Sequence, residues 1–399
     1  MNTVIGISGF ARLIGIATLG AALGCGGLDQ RTERKSGAIV NTNDPPSTKL
    51  TLGAGWSQVP ALPAPITPSG DPTVLAADYH TIATFVQAAN FGYFAGAGES
   101  VQEVSWAEYS GDVFVTPAAL ARLPTVHLDA GGQQEEYFIV VGRAGGSDQR
   151  MYWSEGVIAP ATAGVFSPPT PVTFPAFATI NGNKFVDPYG YPALAGDNTG
   201  NVTMTYIGLN ASNQPTVYAQ VKPFNGNWKA RVAAPALPTG WTLVVGKSTI
   251  DWGYLGSSTI VVKAKKSTTT SFFRILFNGS TFYDTLGPAQ WRQLSPLSGS
   301  PSIDSDAAVE WDDSLSAHTL YYRSGTKASN LYEASFTDTS FYEAFKQLIG
   351  STTTNPAFVG SPSVFGGINL ENSEHWILGR DAQSKMYMGF MEEDGSLSP

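Results

Sequence analysis

Three arginines and a group of aromatic residues are the side chains of this sequence whose types and positions fit ligand recognition. The aromatic residues lie in or beside predicted inner hairpins and are Trp252, Tyr254, Trp311 and Trp376. Their faces can stack on the apolar faces of sugar rings while a polar neighbour fixes the orientation. The arginines end predicted second strands, where a forked guanidinium can bind hydroxyls or carboxylates, and are Arg143, Arg323 and Arg380. An alternative is that these arginines join neighbouring repeat units.

The sequence gives less support to a metal site or to a catalytic nucleophile. The 4 histidines lack metal-ligand spacing, and the sequence contains no nucleophile elbow or phosphate loop. Asp304, Asp306 and Glu310 crowd between two predicted strands, as the oxygen ligands of Ca²⁺ do. Their spacing matches no known calcium loop. A solvated hairpin tip is therefore the favoured interpretation of this acidic segment, with calcium as the alternative.

The composition predicts one large, turn-rich β domain. The 399 residues include 43 Gly and 26 Pro, 12% are aromatic and only 14% are charged. Such a chain suits pleated, half-buried surfaces joined by many turns. A formal net charge of −9 lacks the electrostatic footprint of a nucleic-acid-binding protein.

The N-terminal segment resembles a bacterial lipoprotein signal. Arg12 precedes a short apolar stretch, 13–23, which is too short to span a bilayer and fits a signal-peptide core. Cys25 is the single cysteine and follows a small residue, as in the lipobox whose cysteine is lipidated. We therefore predict a signal peptide at 1–24, a flexible tether at 25–53 and the folded domain at 54–399. The predicted location is the outer membrane or cell surface, with a periplasmic or secreted protein as the alternative.

A succession of strands recurs six times along the domain and predicts its fold. Each unit begins with a short segment around a proline or tryptophan, as in Asp71-Pro-Thr-Val and Trp241-Thr-Leu-Val, and three further strands follow. A four-stranded sheet cannot bury both faces alone, whereas sheets stacked around an axis bury one another. The sequence therefore predicts an all-β, six-bladed β-propeller.

The ends of the domain predict how the ring closes. The last unit ends soon after its third strand, near Phe390, and Trp56-Ser-Gln-Val supplies the missing strand from the other end of the domain. We therefore expect an N-terminal strand to close the last blade. The segment 160–188 is longer than a blade connection needs, so it is either an insertion or a seventh blade. Short helices are predicted at 117–123 and 341–349.

The clearest repeat core combines Ser300-Pro-Ser-Ile, Thr319-Leu-Tyr-Tyr-Arg323 and Asn330-Leu-Tyr-Glu, and Ser361-Pro-Ser-Val with Ile377-Leu-Gly-Arg380 echoes it. This pattern resembles the repeat of bacterial propeller lectins that bind fucose-type sugars and, more loosely, of tectonin-type propellers. The resemblance covers three of the six units and implies sugar binding. Arg122-Leu-Pro and Val141-Gly-Arg143 resemble elements of sialidases, but the repeated Ser-x-Asp-x-Gly-x-x-Trp box of those enzymes is absent.

These features favour a surface-anchored binding module for a glycan or another small polar ligand, without catalysis. Two alternatives stay open, a protein-interaction scaffold of the outer membrane and a sialidase-like glycoside hydrolase. The expected partners are the ligand and, through the lipid anchor alone, the membrane. A protein partner belongs to the scaffold alternative, and no nucleic acid is expected.

Overall fold

The computed structural model describes the chain from residue 55 to residue 398, with gaps. The gaps are 79–80, 89–92, 99–103, 110–118, 129–133, 144–149, 159–177, 185–190, 198, 245, 247, 253–256, 286, 295–301, 313–316, 326–329, 337–345, 348–355, 367–374 and 392–396. Cys25, with the predicted signal peptide and tether, lies outside the described residues. So does Tyr254.

All regular secondary structure in the described residues is β. The chain begins with β1 (Ser57–Gln58). Blade 1 contains β2 (Thr73–Asp78), β3 (Thr81–Gln87), β4 (Tyr93–Gly98) and β5 (Ser105–Tyr109). Blade 2 contains β6 (Ala119–Leu128), β7 (Gln134–Arg143), β8 (Arg150–Ile158) and β9 (Ala178–Lys184). Blade 3 contains β10 (Ala193–Gly196), β11 (Val202–Leu209), β12 (Pro215–Lys222) and β13 (Val232–Ala233).

The second half of the ring is built in the same way. Blade 4 contains β14 (Thr242–Leu243), β15 (Thr249–Trp252), β16 (Ser258–Lys266), β17 (Thr269–Phe277), β18 (Phe282–Tyr283) and β19 (Arg292–Leu294). Blade 5 contains β20 (Ala308–Asp312), β21 (Ala317–Arg323), β22 (Leu331–Phe336) and β23 (Lys346–Gln347). Blade 6 contains β24 (Phe358–Gly366), β25 (His375–Asp381), β26 (Met386–Met391) and β27 (Leu397–Ser398), with β1 on its outer edge.

The inner strands of the six blades form a closed ring. Each inner strand contacts the next in the order β2, β6, β10, β15, β20 and β24, and β24 contacts β2 again. The predicted all-β propeller is therefore confirmed, and the ring closes with six blades. The strand β1 pairs with β26, Ser57 opposite Met388, so the predicted closure by an N-terminal strand is confirmed as well.

The propeller has two distinct faces, which we name from the direction of the inner strands. The bottom face is where inner strands begin, and the top face is where they end. Contacts at the bottom face show that neighbouring inner strands run in the same direction: Asp306 N–H, just before β20, donates to Ser361 Oγ near the start of β24 (3.2 Å). Because paired strands are antiparallel, each first hairpin loop lies at the top face and each second hairpin loop lies at the bottom face.

Both faces of a blade are buried, which explains the long apolar runs in the second strands. In β16, Ile260 and Val262 join the core between blades 3 and 4, whereas Val261 joins the core between blades 4 and 5. Successive side chains of a strand point to opposite faces, so a strand between two neighbours needs apolar residues at consecutive positions.

Two of the hairpins at the bottom face, in blades 3 and 6, owe their shape to asparagine and aspartate. Asn210 Oδ1 accepts the N–H groups of Ser212 (2.9 Å) and Gln214 (3.0 Å). Asp381 Oδ1 accepts those of Gln383 and Lys385 in the same way. Such side chains mimic a backbone turn, so the local sequence alone favours the reversal.

Tryptophans anchor the outer strands. Trp56, Trp228 and Trp291 each lie just before an outer strand and are 8%, 5% and 4% exposed. The Trp291 indole N–H also donates to Pro235 O (2.7 Å), which ties the strand to the preceding connection.

The described residues contain no helix long and apolar enough to cross a membrane.

Two sequence expectations about the fold were wrong at the described residues, and one open alternative is answered there. Neither predicted helix forms at the described positions: residues 119–123 belong to β6 and residues 346–347 to β23, because both pair with a neighbouring strand. The segment 160–188 was left open as an insertion or a seventh blade, and its described part, 178–184, forms β9, which pairs with β8 as the fourth strand of blade 2. In blade 4, Trp241-Thr-Leu-Val leads into β14, whereas the strand that contacts the neighbouring blades is β15.

Candidate functional site

Three of the predicted aromatic residues, Trp252, Trp311 and Trp376, lie at the top face, where two of them are accessible. Trp252 is the last residue of β15, and Trp311 lies one residue from the end of β20. Both side chains are partly exposed. Trp376, opposite Phe365 at the same face, is only 3% exposed and belongs to a hydrophobic core cluster. The structure thus presents Trp252 and Trp311 to solvent and uses Trp376 for packing.

A buried polar cluster supports Trp311 from behind. The rings of Trp311 and His318 meet at a steep angle of 75°, with centroids 4.9 Å apart. His318 Nε2 shares a hydrogen bond of 2.8 Å with Thr259 Oγ1 of blade 4, and His318 Nδ1 lies 3.5 Å from Asp251 Oδ2. The side chains of His318 and Asp251 are 3% and 9% exposed. We call Asp251, Trp252, Thr259, Trp311 and His318 the top-face cluster.

The two tryptophans occupy neighbouring gaps between blades. Asp251 faces His318 of blade 5, so Trp252, the next residue of the same strand, faces blade 3. Trp311 pairs across the strands with His318 and therefore faces blade 4. One aromatic side chain thus borders each of two adjacent gaps at the top face.

The predicted arginines lie at the opposite face. Arg143 and Arg323 end β7 and β21, and Arg380 stands opposite Val359 near the start of an inner strand. Antiparallel pairing places the end of a second strand beside the start of the first, which is the bottom face. The structure therefore does not bring the aromatic residues and the arginines together into one site.

Arg323 joins two blades. Its Nε donates to Gly360 O of blade 6 (3.1 Å), its Nη1 to Gly325 O (2.6 Å) and its Nη2 to Asp304 O (2.8 Å). These bonds engage all three guanidinium nitrogens with main-chain oxygens. Arg143 is 6% exposed, and the buried Nε of Arg380 has no hydrogen-bond partner among the described residues. A ligand role for the three arginines stays a prediction.

A cleft beside Arg323 lies between blades 5 and 6 at the bottom face. It is a shallow groove without room for an enclosed water molecule, and its walls are mainly apolar, with Phe358, Val359 and Ile377 among them. Ser361 supplies its other polar side chain. Because the guanidinium nitrogens are already engaged, this cleft suits a polar ligand less well than the top face does.

The acidic residues proposed for calcium have other contacts. Asp304 Oδ2 accepts Ser302 Oγ–H (2.8 Å) and Gly325 N–H, and the bond from Gly325 holds the pKa of this carboxyl below its ordinary value. Asp306 Oδ1 lies 3.0 Å from the ammonium of Lys263, and Glu310 lies within β20. The part of the chain that the structure describes contains no group of three acidic, histidine or cysteine side chains that could hold a metal ion.

Sequence reasoning missed the role of His318. It tested the histidines only as metal ligands, by their spacing along the chain. The contacts of His318 come instead from a strand pairing and from the neighbouring blade, because Thr259 lies 59 residues earlier in the sequence. An alternating pattern that placed histidine opposite tryptophan in a predicted hairpin was the available signal.

The side chains of Arg122 and His127 lie outside the described part of the structure.

Comparison with known proteins supports the fold at low sequence identity. The sequence matches no family model and no curated protein. The structure is similar to an α-L-arabinanase of Penicillium chrysogenum complexed with arabinobiose, with a TM-score of 0.54 and 13% identity over 88% of this chain and 100% of that one. It is also similar to the Aleuria aurantia lectin in complex with α-methyl-L-fucoside, with a TM-score of 0.51 and 14% identity over 84% of this chain and 96% of that one.

A third similar structure is the α-L-arabinofuranosidase of Fusarium graminearum in complex with an iminosugar inhibitor. Its TM-score is 0.52 and its identity 12%, over 86% of this chain and 99% of that one. At these identities the likeness establishes the fold and nothing finer. The molecule is a six-bladed β-propeller with a candidate binding surface at its top face.

Proposed function

We propose that this propeller is a carbohydrate-binding module whose ligand contacts the top face at Trp252 and Trp311. The observation that carries the proposal is the placement of these partly exposed tryptophans on neighbouring inner strands, one in each of two adjacent gaps. An indole face buries the C–H face of a sugar ring, and polar groups beside it select the hydroxyl pattern.

The contacts behind Trp311 support the same function. The ring rests on His318, which Thr259 fixes from the next blade, so the indole is held before any ligand arrives. A preorganised aromatic side chain loses little conformational entropy on binding, and more of the contact energy is available as affinity.

Three proteins with the same fold support the ligand class. Their structures contain arabinobiose, α-methyl-L-fucoside and an iminosugar inhibitor, which are sugars or a sugar-like compound. Binding is proposed because the two tryptophans carry the argument, whereas hydrolysis of a glycosidic bond would also need two carboxyl groups set beside the sugar. Asp251, the carboxylate of the top-face cluster, is almost buried and faces His318.

A glycan array tests the proposal. The protein is the chain from Asn43 to Pro399, the compact unit that carries every described strand. Saturable binding to one class of sugar, confirmed by titration of the free sugar, is the expected result. Binding to no sugar contradicts the proposal and shifts attention to a protein partner, to be sought by affinity capture from envelope extracts.

We further propose that the protein is lipid-anchored through Cys25 at the outer membrane or cell surface. The short apolar stretch before a single cysteine and the polar segment after it support this location. Mass spectrometry of the full chain from a bacterial host is expected to show cleavage before Cys25 and a diacylglyceryl adduct. A Cys25→Ser variant is expected to leave the membrane fraction, and membrane association of that variant contradicts the anchor.

A further inference from the structure

An exposed phenylalanine on blade 3 is the second aromatic feature of the top face. Phe224 is 47% exposed, the larger value of the two exposed large hydrophobic side chains in the described residues. It follows Lys222, the last residue of β12, which pairs with Val202 at the start of β11. This position lies at the top face, because β11 begins where the inner strand β10 ends.

The ring of Phe224 is held in place by a neighbouring turn. A Cβ added to Gly200 would lie 2.9 Å from the ring, so the ring rests directly on this glycine, whose φ of +85° also favours glycine. The Phe224 N–H donates to Asn201 Oδ1 (3.0 Å). Gly226 N–H donates to Pro223 O (2.9 Å), which closes the turn that carries the ring.

The turn beneath the ring is itself fixed by Asp197. Its Oδ1 accepts Thr199 N–H (2.9 Å), Thr199 Oγ–H (2.8 Å) and Asn201 N–H (2.8 Å), and its Oδ2 accepts Asn201 Nδ2–H (2.8 Å). These four hydrogen bonds satisfy the single charged side chain in the two turns, 197–201 and 223–228. Single exposed apolar side chains are common on protein surfaces, but Phe224 also rests on a turn whose polar groups are hydrogen-bonded.

The surface around Phe224 carries amides and a hydroxyl. Thr199, Asn225 and Asn227 are exposed, and both asparagines belong to the same turn as the ring. An aromatic face bordered by amide and hydroxyl groups matches a neutral sugar, which has an apolar C–H face and hydroxyl groups at its edge. Phosphate and carboxylate ligands instead favour arginine or lysine, and neither turn contains one, although the exposed Lys229 directly follows the second turn.

We propose that Phe224 is a second sugar-stacking site, at the outer part of the top face, and that its ligand is a neutral oligosaccharide. This site rests on the proposed function but is separate from the top-face cluster: Phe224 belongs to the outer turn of blade 3, whereas Trp252 and Trp311 belong to inner strands of blades 4 and 5. The rigid turn of Asp197 and Asn201 presents the ring, and the amides around it contact the hydroxyl groups.

Isothermal titration calorimetry with neutral arabino-, xylo- and gluco-oligosaccharides of two to six units, and with oligogalacturonides as anionic sugars, tests this site. Phe224→Ala is expected to weaken binding of at least one oligosaccharide by about threefold to tenfold, as loss of one aromatic contact implies. Phe224→Trp keeps an aromatic face and is expected to restore the affinity. Tyr191→Ala is the matched control, because Tyr191 is 37% exposed and precedes β10 at the bottom face.

The outcomes separate this site from the proposed function. If Phe224→Ala binds every oligosaccharide like the wild type while Trp311→Ala loses affinity, the Phe224 site is wrong and the carbohydrate-binding function stands. If the wild type binds only anionic sugars, the neutral ligand class is wrong. If the wild type binds no sugar, the proposed function and this site are both contradicted.

Discussion

The main-chain N–H of Ser361 in blade 6 donates to Asp71 Oδ2 in blade 1 at 2.9 Å, across 290 residues of sequence. Asp306 N–H makes the corresponding bond from blade 5 to Ser361 Oγ. A side-chain oxygen at the start of one inner strand therefore accepts the main-chain N–H at the start of the preceding one. This repeated contact links three blades at the bottom face and bridges the point where the ring closes.

Loss of the Asp71 carboxylate is expected to destabilise the ring. Asp71→Ala leaves the Ser361 N–H without this acceptor, which costs about 1–3 kcal/mol for a buried group. Asp71→Asn retains an oxygen that can accept the bond and is expected to lose less. Denaturant unfolding compares the two variants, and equal stability of Asp71→Ala and the wild type would contradict the role of this contact.

Because β1 closes the last blade, we expect substitution of Trp56 to destabilise the protein more than substitution of Asp71 does. The indole meets the Phe358 ring edge-on, with centroids 4.8 Å apart, and is 8% exposed. Trp56→Ala is expected to cost about 3–5 kcal/mol, because a large buried side chain is removed and a cavity remains. Trp56→Phe should recover part of the loss. Thermal unfolding is the measurement, and a wild-type midpoint for Trp56→Ala would show that β1 does not hold the last blade.

A substitution at Arg323 tests whether this residue contributes to stability or to ligand binding. Arg323→Lys cannot reproduce the three bonds of the guanidinium and is expected to lower the free energy of unfolding by about 1–3 kcal/mol. Sugar affinity should be unchanged, because Arg323 lies at the bottom face. Calorimetric titration and denaturant unfolding of the same preparation test both halves. Lost affinity with full stability would instead assign Arg323 to the ligand site.

The buried Tyr322 is expected to make the folded protein less stable at alkaline pH. Burial raises the pKa of Tyr322 far above its ordinary value of 10.0, and the neighbouring Tyr332 adds to the rise. A folded pKa above the unfolded one contributes stability that is fully present below the unfolded pKa and is lost as the pH rises above it. Tyr322→Phe should therefore lose less stability than the wild type between pH 9 and about 12. Parallel pH profiles of the two proteins would contradict this.

Much of the architecture was predictable because it depends on local patterns. Consecutive apolar residues in the second strands reflect burial on both faces of a blade. Asparagine and aspartate turns form the second hairpins of blades 3 and 6. The closing strand followed from a missing fourth strand in the last unit. The helices predicted at 117–123 and 341–349 were wrong at their described residues, 119–123 and 346–347, because local propensity gave way to pairing with β7 and β22.

The site was less predictable because its contacts cross between blades. The sequence placed Trp252, Trp311 and the arginines correctly along their strands, and the alternation of strand direction already implied opposite faces for the two groups. It could not reveal that three main-chain oxygens engage Arg323, or that Trp376 is buried. Phe224 left only a weak signal, an aromatic residue within the polar turn Pro223-Phe-Asn-Gly-Asn.

The most direct measurement is one glycan array with three proteins: the wild type, Trp311→Ala and Tyr191→Ala. Both substitutions remove an exposed or partly exposed aromatic side chain, but from opposite faces of the propeller. Circular dichroism first establishes that all three are folded. We expect the wild type and Tyr191→Ala to bind the same sugars and Trp311→Ala to lose most of the signal. Equal binding by all three proteins, or no binding by the wild type, would contradict a carbohydrate site at the top face.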